Sequence, residues 1–216
     1  MRRFAVIASL LACSLLVSAV ALAGEPRLEQ KRLRPADMAL ARATTLRASD
    51  LSRGWVRRPA QKPRNELPTC PGVDMDFSMF TITGTASSRF EQQRATIDSH
   101  VEVFESQSDA ARDFRKATTA PVLRCVGRWL RQELTREVPG ARVVSSKLVA
   151  RPRVGQQAIH YRIVLEIQAG GGTVRVYVDL IAFQRGRTGV SLTFGNVGSP
   201  LRGELAVARS IVARAR

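Results

Sequence analysis

The sequence predicts an α+β fold: a mainly antiparallel sheet of about six to seven strands, helices packed on it, and one disulfide. Three observations carry this. From Asp76 onward apolar residues recur at every second position, in runs joined by links of hairpin length. Two stretches, one between those runs and one after them, change to helical spacing. Finally, of the three cysteines only Cys70 and Cys125 lie beyond an N-terminal segment expected to be removed.

That segment comes first. Arg2 and Arg3 open it, an apolar run extends from Phe4 to Val20, and Ala21-Leu22-Ala23 closes it with a small-x-small cleavage pattern. This is a secretory signal over residues 1–23. An uncleaved anchor is disfavoured, because the run is about 17 residues against the roughly 20 that span a bilayer. Lipid attachment at Cys13 is the other alternative, through Leu10-Leu11-Ala12-Cys13. Leu11 is poor ahead of Ala12, however, and the apolar run continues past Cys13. The expected location is secreted or associated with the cell envelope, with no transmembrane segment after cleavage.

Residues 24–35 (GEPRLEQKRLRP) are polar and basic without apolar periodicity, and read as a flexible lead. A single domain over 36–216 follows. Pro35-Ala36-Asp37 starts a short helix to about Ala48. Ser49 to Trp55 is a turn, and 56–75, with four prolines, is mostly loop. Phe77–Thr83 is a strand, Gly84 a turn, and Ala86–Gln92 a second strand. Ala95–Glu105 alternates more clearly, with Ile97, Val101 and Val103 on one face. A helix then opens with Ser108 as N-cap, and Pro121 restarts it. In the second piece Val122, Cys125, Val126, Trp129 and Leu130 share a face. Strands at 141–150, 159–167, 174–180 and 190–194 follow, the second and third joined by a hairpin at Gly170-Gly171-Gly172. Ser199-Pro200 starts a last helix.

The remaining cysteines, Cys70 and Cys125, read as a disulfide in an exported domain. Closing a loop of that length is worth about 4 kcal/mol on the chain-entropy model. The formal net charge is +16, or +14 once Arg2 and Arg3 are gone. Of the 34 cations 30 are arginine, while isoleucine and asparagine are scarce, as the codon habit of a GC-rich genome produces. Codon habit and export together discount nucleic acid as the partner.

Asp50-Leu51-x-x-Gly54-Trp55, Cys70-Pro71, Thr83-Gly84-x-Ala86-x-Ser88 and a late helix carrying Cys125 form a pattern. Over roughly residues 36–215 it resembles the extracellular sensor domains of mycobacterial serine/threonine kinases, within the broader PsbP/Mog1-like α+β class. The resemblance implies a sensor-like binding role outside the membrane. Domains of that type usually carry two disulfides and a tether to a kinase; this chain has one cysteine pair and no kinase.

Catalytic motifs are absent: there is no H-E-x-x-H, no G-x-S-x-G and no Walker loop. No two of the cysteines and histidines are spaced as a local ligand pair, so no metal and no cofactor is expected. Two constellations remain. Asp98, His100 and Glu102 share one strand face, a row suited to acid–base work or a pocket, and Tyr177 and Asp179 are grouped with them as a candidate pocket. Arg53, Trp55, Arg57, Arg58, Lys62 and Arg64 form a basic loop with one aromatic, suited to an envelope polyanion, a lipid headgroup or a small anionic ligand. The leading expectation is a secreted, non-enzymatic binding or sensor-like domain. The alternatives are a cell-envelope hydrolase working through Asp98, His100 and Glu102, or a structural partner of another envelope protein.

Overall fold

The computed structural model describes residues 26–60, 67–137, 140–169 and 172–215. The expected signal segment with Cys13, together with Lys62, Arg64, Gly170 and Gly171, lies outside them. In chain order the elements are β1 (Gln30–Lys31), α1 (Pro35–Thr44), a short 3-10 turn (Ala48–Asp50), β2 (Val56–Arg58), β3 (Thr81–Gln92) and β4 (Ala95–Phe104). Then come α2 (Gln107–Ala117), α3 (Ala120–Glu137), β5 (Ala141–Ala150), β6 (Gln157–Ala169), β7 (Gly172–Arg185), β8 (Thr188–Val197) and α4 (Glu204–Val212). The expected α+β class, antiparallel sheet and Cys70–Cys125 disulfide are all present. Among the described residues no helix is long and apolar enough to cross a membrane.

The sheet has eight strands. The long ones run in the order β3-β4-β8-β7-β6-β5, every neighbour antiparallel. Two short strands share the outer edge of β3: β1 lies parallel beside Thr81–Ile82, and β2 antiparallel beside Arg89–Glu91. Four sequence expectations change here. The lead is not a free arm. Arg27 exchanges backbone hydrogen bonds with Met75 and Phe77, while the amides of Gln30, Arg32 and Arg34 donate to the carbonyls of Phe80, Ile82 and Thr83 at 2.8–2.9 Å. A polar sequence does this because an edge strand needs only backbone groups.

Gly84 is not a turn but an irregular point inside one continuous strand, where the register with β4 shifts. A Cβ there would meet the Asp37 carbonyl oxygen at 2.3 Å, so glycine is what admits the backbone of α1. Ser106, rather than Ser108, caps α2, its side chain accepting from the Asp109 amide at 3.0 Å. Lastly, α4 begins at Glu204 rather than near Pro200, because Gly203 ahead of it holds a left-handed φ of 85°.

Side chains alternate across the sheet, which gives it two unlike faces. One carries Phe90, Ile97, Val101, Ile181, Phe183, Val190, Leu192 and Phe194, and α1 and α4 close over it with Ala41, Ala208 and Ile211. On the other face Ile82 and Phe104 meet Ala110 of α2 and Val122 and Cys125 of α3. Cys70, Met75, Phe77 and Phe80 join them from the proline-rich segment. The disulfide, with Cα atoms 5.9 Å apart, ties that irregular segment to α3. Asp50 and Ser88, two residues of the short motifs noted in the sequence, do structural work. Asp50 accepts both nitrogens of the Arg214 guanidinium at 2.7 and 2.8 Å, joining the 3-10 turn to the end of the chain. Ser88 donates to the Leu46 carbonyl at 2.9 Å beneath α1.

Candidate functional site

The expected pocket of Asp98, His100, Glu102, Tyr177 and Asp179 does not exist as one site. Asp98 stands opposite Thr193, which stands opposite Leu180, so these three share a face. Asp179, next to Leu180, therefore points the other way, and so does Tyr177. The first three residues do form a row. Arg89 Nη1 donates to both oxygens of Asp98 at 3.0 and 3.2 Å. His100 contacts Ser87 Oγ through Nδ1 at 2.8 Å and Glu102 Oε1 through Nε2 at 3.1 Å. Each polar group of the row is thus engaged by a neighbour on the same sheet face.

Near that row lies a group the sequence did not suggest. Asp113 of α2 sits against Glu29 of the lead and close to Glu102. Burial first, then the charges of Glu29 and Glu102, push its carboxyl up to about 8. Burial, and next the charge of Glu102, raise Glu29 as well. The two carboxyls hydrogen-bond through a shared proton that relieves their repulsion.

The basic loop is divided as well. Arg58 pairs with Glu91 at 3.2 Å on the sheet edge, Arg57 beside it is exposed, and the Arg53 carbonyl accepts from Gln92. Trp55 is half-buried against the α4-covered core. With Leu51, Ile97, Leu201 and Val207 it lines an open cleft of about 490 Å³, whose rim carries Asn196 and Arg202. Thus Trp55 belongs to a concave surface, and the loop arginines stand away from it.

A second concavity, of about 430 Å³, lies between α3 and the β5–β6 hairpin. Arg124, Arg128 and Arg131 line one side, spaced four and then three residues apart so that they share a helix face. Ser146 and Tyr161 line the other, their hydroxyls 2.8 Å apart. Pro71 and Val73, held by the disulfide, close one end. Gly127 makes the close packing possible: a Cβ there would meet Tyr161 Oη at 2.8 Å and Ser146 Oγ at 3.0 Å. None of the described lining residues is acidic, and all three arginines are exposed. Such a groove offers guanidinium forks and hydroxyl donors to a phosphate or carboxylate. The arginine spacing is legible in the sequence, where it reads as an ordinary solvated helix face. The hydroxyls that turn it into a groove come from the two strands that follow the helix, β5 and β6.

The third grouping is buried. His160, a polar residue on strand β6, is only 7% exposed. Its Nε2 lies 2.5 Å from Asp179 Oδ1 and 3.6 Å from Glu204 Oε2, and Arg162 Nε donates to the same Asp179 oxygen at 2.7 Å. Burial, and next the charge of Asp179, raise the Glu204 carboxyl to about 7. No local pattern marks Glu204 in the sequence. It joins the cluster only because α4 docks there. No family model matches the chain and no curated protein matches it significantly, so a functional reading rests on this geometry.

Proposed function

We propose that the chain is an exported, non-enzymatic binding or sensor-like domain that takes a phosphate-bearing envelope component in the groove between α3 and the β5–β6 hairpin. The observation that carries this reading is the convergence of Arg124, Arg128 and Arg131 on the Ser146 and Tyr161 hydroxyls, with no acid in the described lining. Phosphate oxygens accept from guanidinium and hydroxyl alike, and paired arginines recognise them in two-point contacts. A groove open to solvent suits a headgroup or a polymer repeat better than a small enclosed substrate. The resemblance to kinase sensor domains supports the same role.

The test is binding of the purified chain to vesicles containing phosphatidylglycerol and, separately, to a soluble glycerol-phosphate polymer. Wild type should bind at least one of them, which tells headgroup from polymer. Arg124→Glu with Arg128→Glu should weaken that binding at least tenfold, whereas Arg57→Glu should change it little. Equal binding by the double variant and wild type would sink the proposal, as would binding to neither.

A further inference from the structure

On the opposite face of the sheet, the cluster of His160, Asp179 and Glu204 is a different kind of site and owes nothing to the arginine groove. The three residues are 7%, 1% and 6% exposed. Two come from adjacent strands of the sheet, β6 and β7, where Asp179 stands opposite Arg162, two residues along from His160. The third opens α4, where the left-handed Gly203 turns the chain. One nitrogen and two carboxylate oxygens from these residues lie within 4.8 Å of one another.

Two buried carboxylates need several donors, and this cluster concentrates the ones it has on a single oxygen. His160 and Arg162 both serve Asp179 Oδ1. Asp179 Oδ2 and Glu204 Oε1 find no donor group among the described residues, and without a cation the two carboxyls are left to share a proton. A buried acceptor left unpaired costs about 1–3 kcal/mol. Among the described residues Arg162 is the permanent cation in contact, and it offsets a single negative charge when both carboxyls are ionised. A residual charge and two idle oxygens are what a bound cation would satisfy.

We infer that His160, Asp179 and Glu204 form a binding site for one divalent transition-metal ion, with zinc the best match. One imidazole nitrogen and two carboxylate oxygens suit zinc, whereas calcium and magnesium take oxygen shells. Donors at about 2.1 Å from a tetrahedral zinc stand roughly 3.4 Å apart. The His160–Glu204 separation of 3.6 Å is close to that already. The His160–Asp179 pair, at 2.5 Å, has to open by turning the Asp179 carboxylate. Arg162 then remains as the outer donor that orients Asp179, a usual second layer around a metal. The ion would join α4 to β6 and β7.

The experiment uses the full secreted chain, stripped with chelator and titrated with zinc chloride, read by native mass spectrometry and by thermal unfolding. The expected result is uptake of one ion per chain and a Tm rise of about 5 °C at saturating metal. The near-isosteric Glu204→Gln and Asp179→Asn should each weaken uptake at least tenfold, whereas His100→Ala, on the other face, should leave it unchanged. X-ray absorption on the zinc-loaded wild type needs no variant, and should show one imidazole with oxygen ligands and no sulfur. No uptake, uptake unaffected by both carboxylate variants, loss on His100→Ala, or a shell with two imidazoles would each overturn the assignment.

Discussion

Asp113 is a carboxyl group with carboxylates for neighbours. Glu29 and Glu102 flank it, and the charge of Lys116 pulls the other way more weakly. The folded chain therefore keeps a proton on Asp113 at pH values where the unfolded chain has lost it. By linkage, this group's contribution to stability is greatest near pH 4 and declines as pH rises to about 8. Asp113→Asn removes the titration, so its stability relative to wild type should improve steadily between pH 5 and 8. The slope is bounded by about 1.4 kcal/mol per pH unit. Urea midpoints of both proteins at several pH values would show it, and parallel curves would contradict it. Gly84 makes the complementary point about backbone. Gly84→Ala places a methyl group on the Asp37 carbonyl, against a peptide that α1 cannot easily move. A loss of about 3 kcal/mol is expected from such overpacking, measured as a lower denaturant midpoint with little change in slope.

Elements in this protein are held to one another as much by side-chain ties as by apolar burial. The segment from Leu67 to Phe80 has little regular structure of its own, yet it buries Met75, Phe77 and Phe80. Its anchors are the Cys70–Cys125 bond and Lys116 of α2, which donates to Asp74 Oδ2 at 2.7 Å and to the Asp76 carbonyl at 2.5 Å. Cys70→Ser with Cys125→Ser should cost about 4 kcal/mol, from the freedom restored to the unfolded loop. Because Pro71 and Val73 close the arginine groove, the same variant should also bind phosphate-bearing partners less well. Denaturant unfolding and the vesicle assay would separate the two effects. α4 illustrates the same principle at the other end: Arg214, just past it, reaches Asp50 of the 3-10 turn, 164 residues earlier.

Across the whole molecule, the antiparallel sheet divides the chemistry in two. One face carries the disulfide, the acidic group around Asp113, the row at His100 and the arginine groove. The other carries the Trp55 cleft and, deeper, the cluster around His160. The class of fold, the strands from β4 onward, the helix restart at Pro121 and the Cys70–Cys125 pair were all legible along the chain. These are local matters: a period of two or of 3.6, a proline, and two cysteines left once the expected signal is set aside. The same alternation also placed Asp98, His100 and Glu102 correctly in one row. It could not show that Tyr177 and Asp179 lie behind them, because that depends on strand register across β8. Tertiary packing was needed to show that Gly84 admits α1, that the lead becomes an edge strand, and that three arginines meet the hydroxyls of two strands. It alone brought Glu204 to His160 and Asp179. Each of those outcomes is a contact between different elements of the chain. It is settled by which faces pack and in what register, and no local pattern along the chain records that.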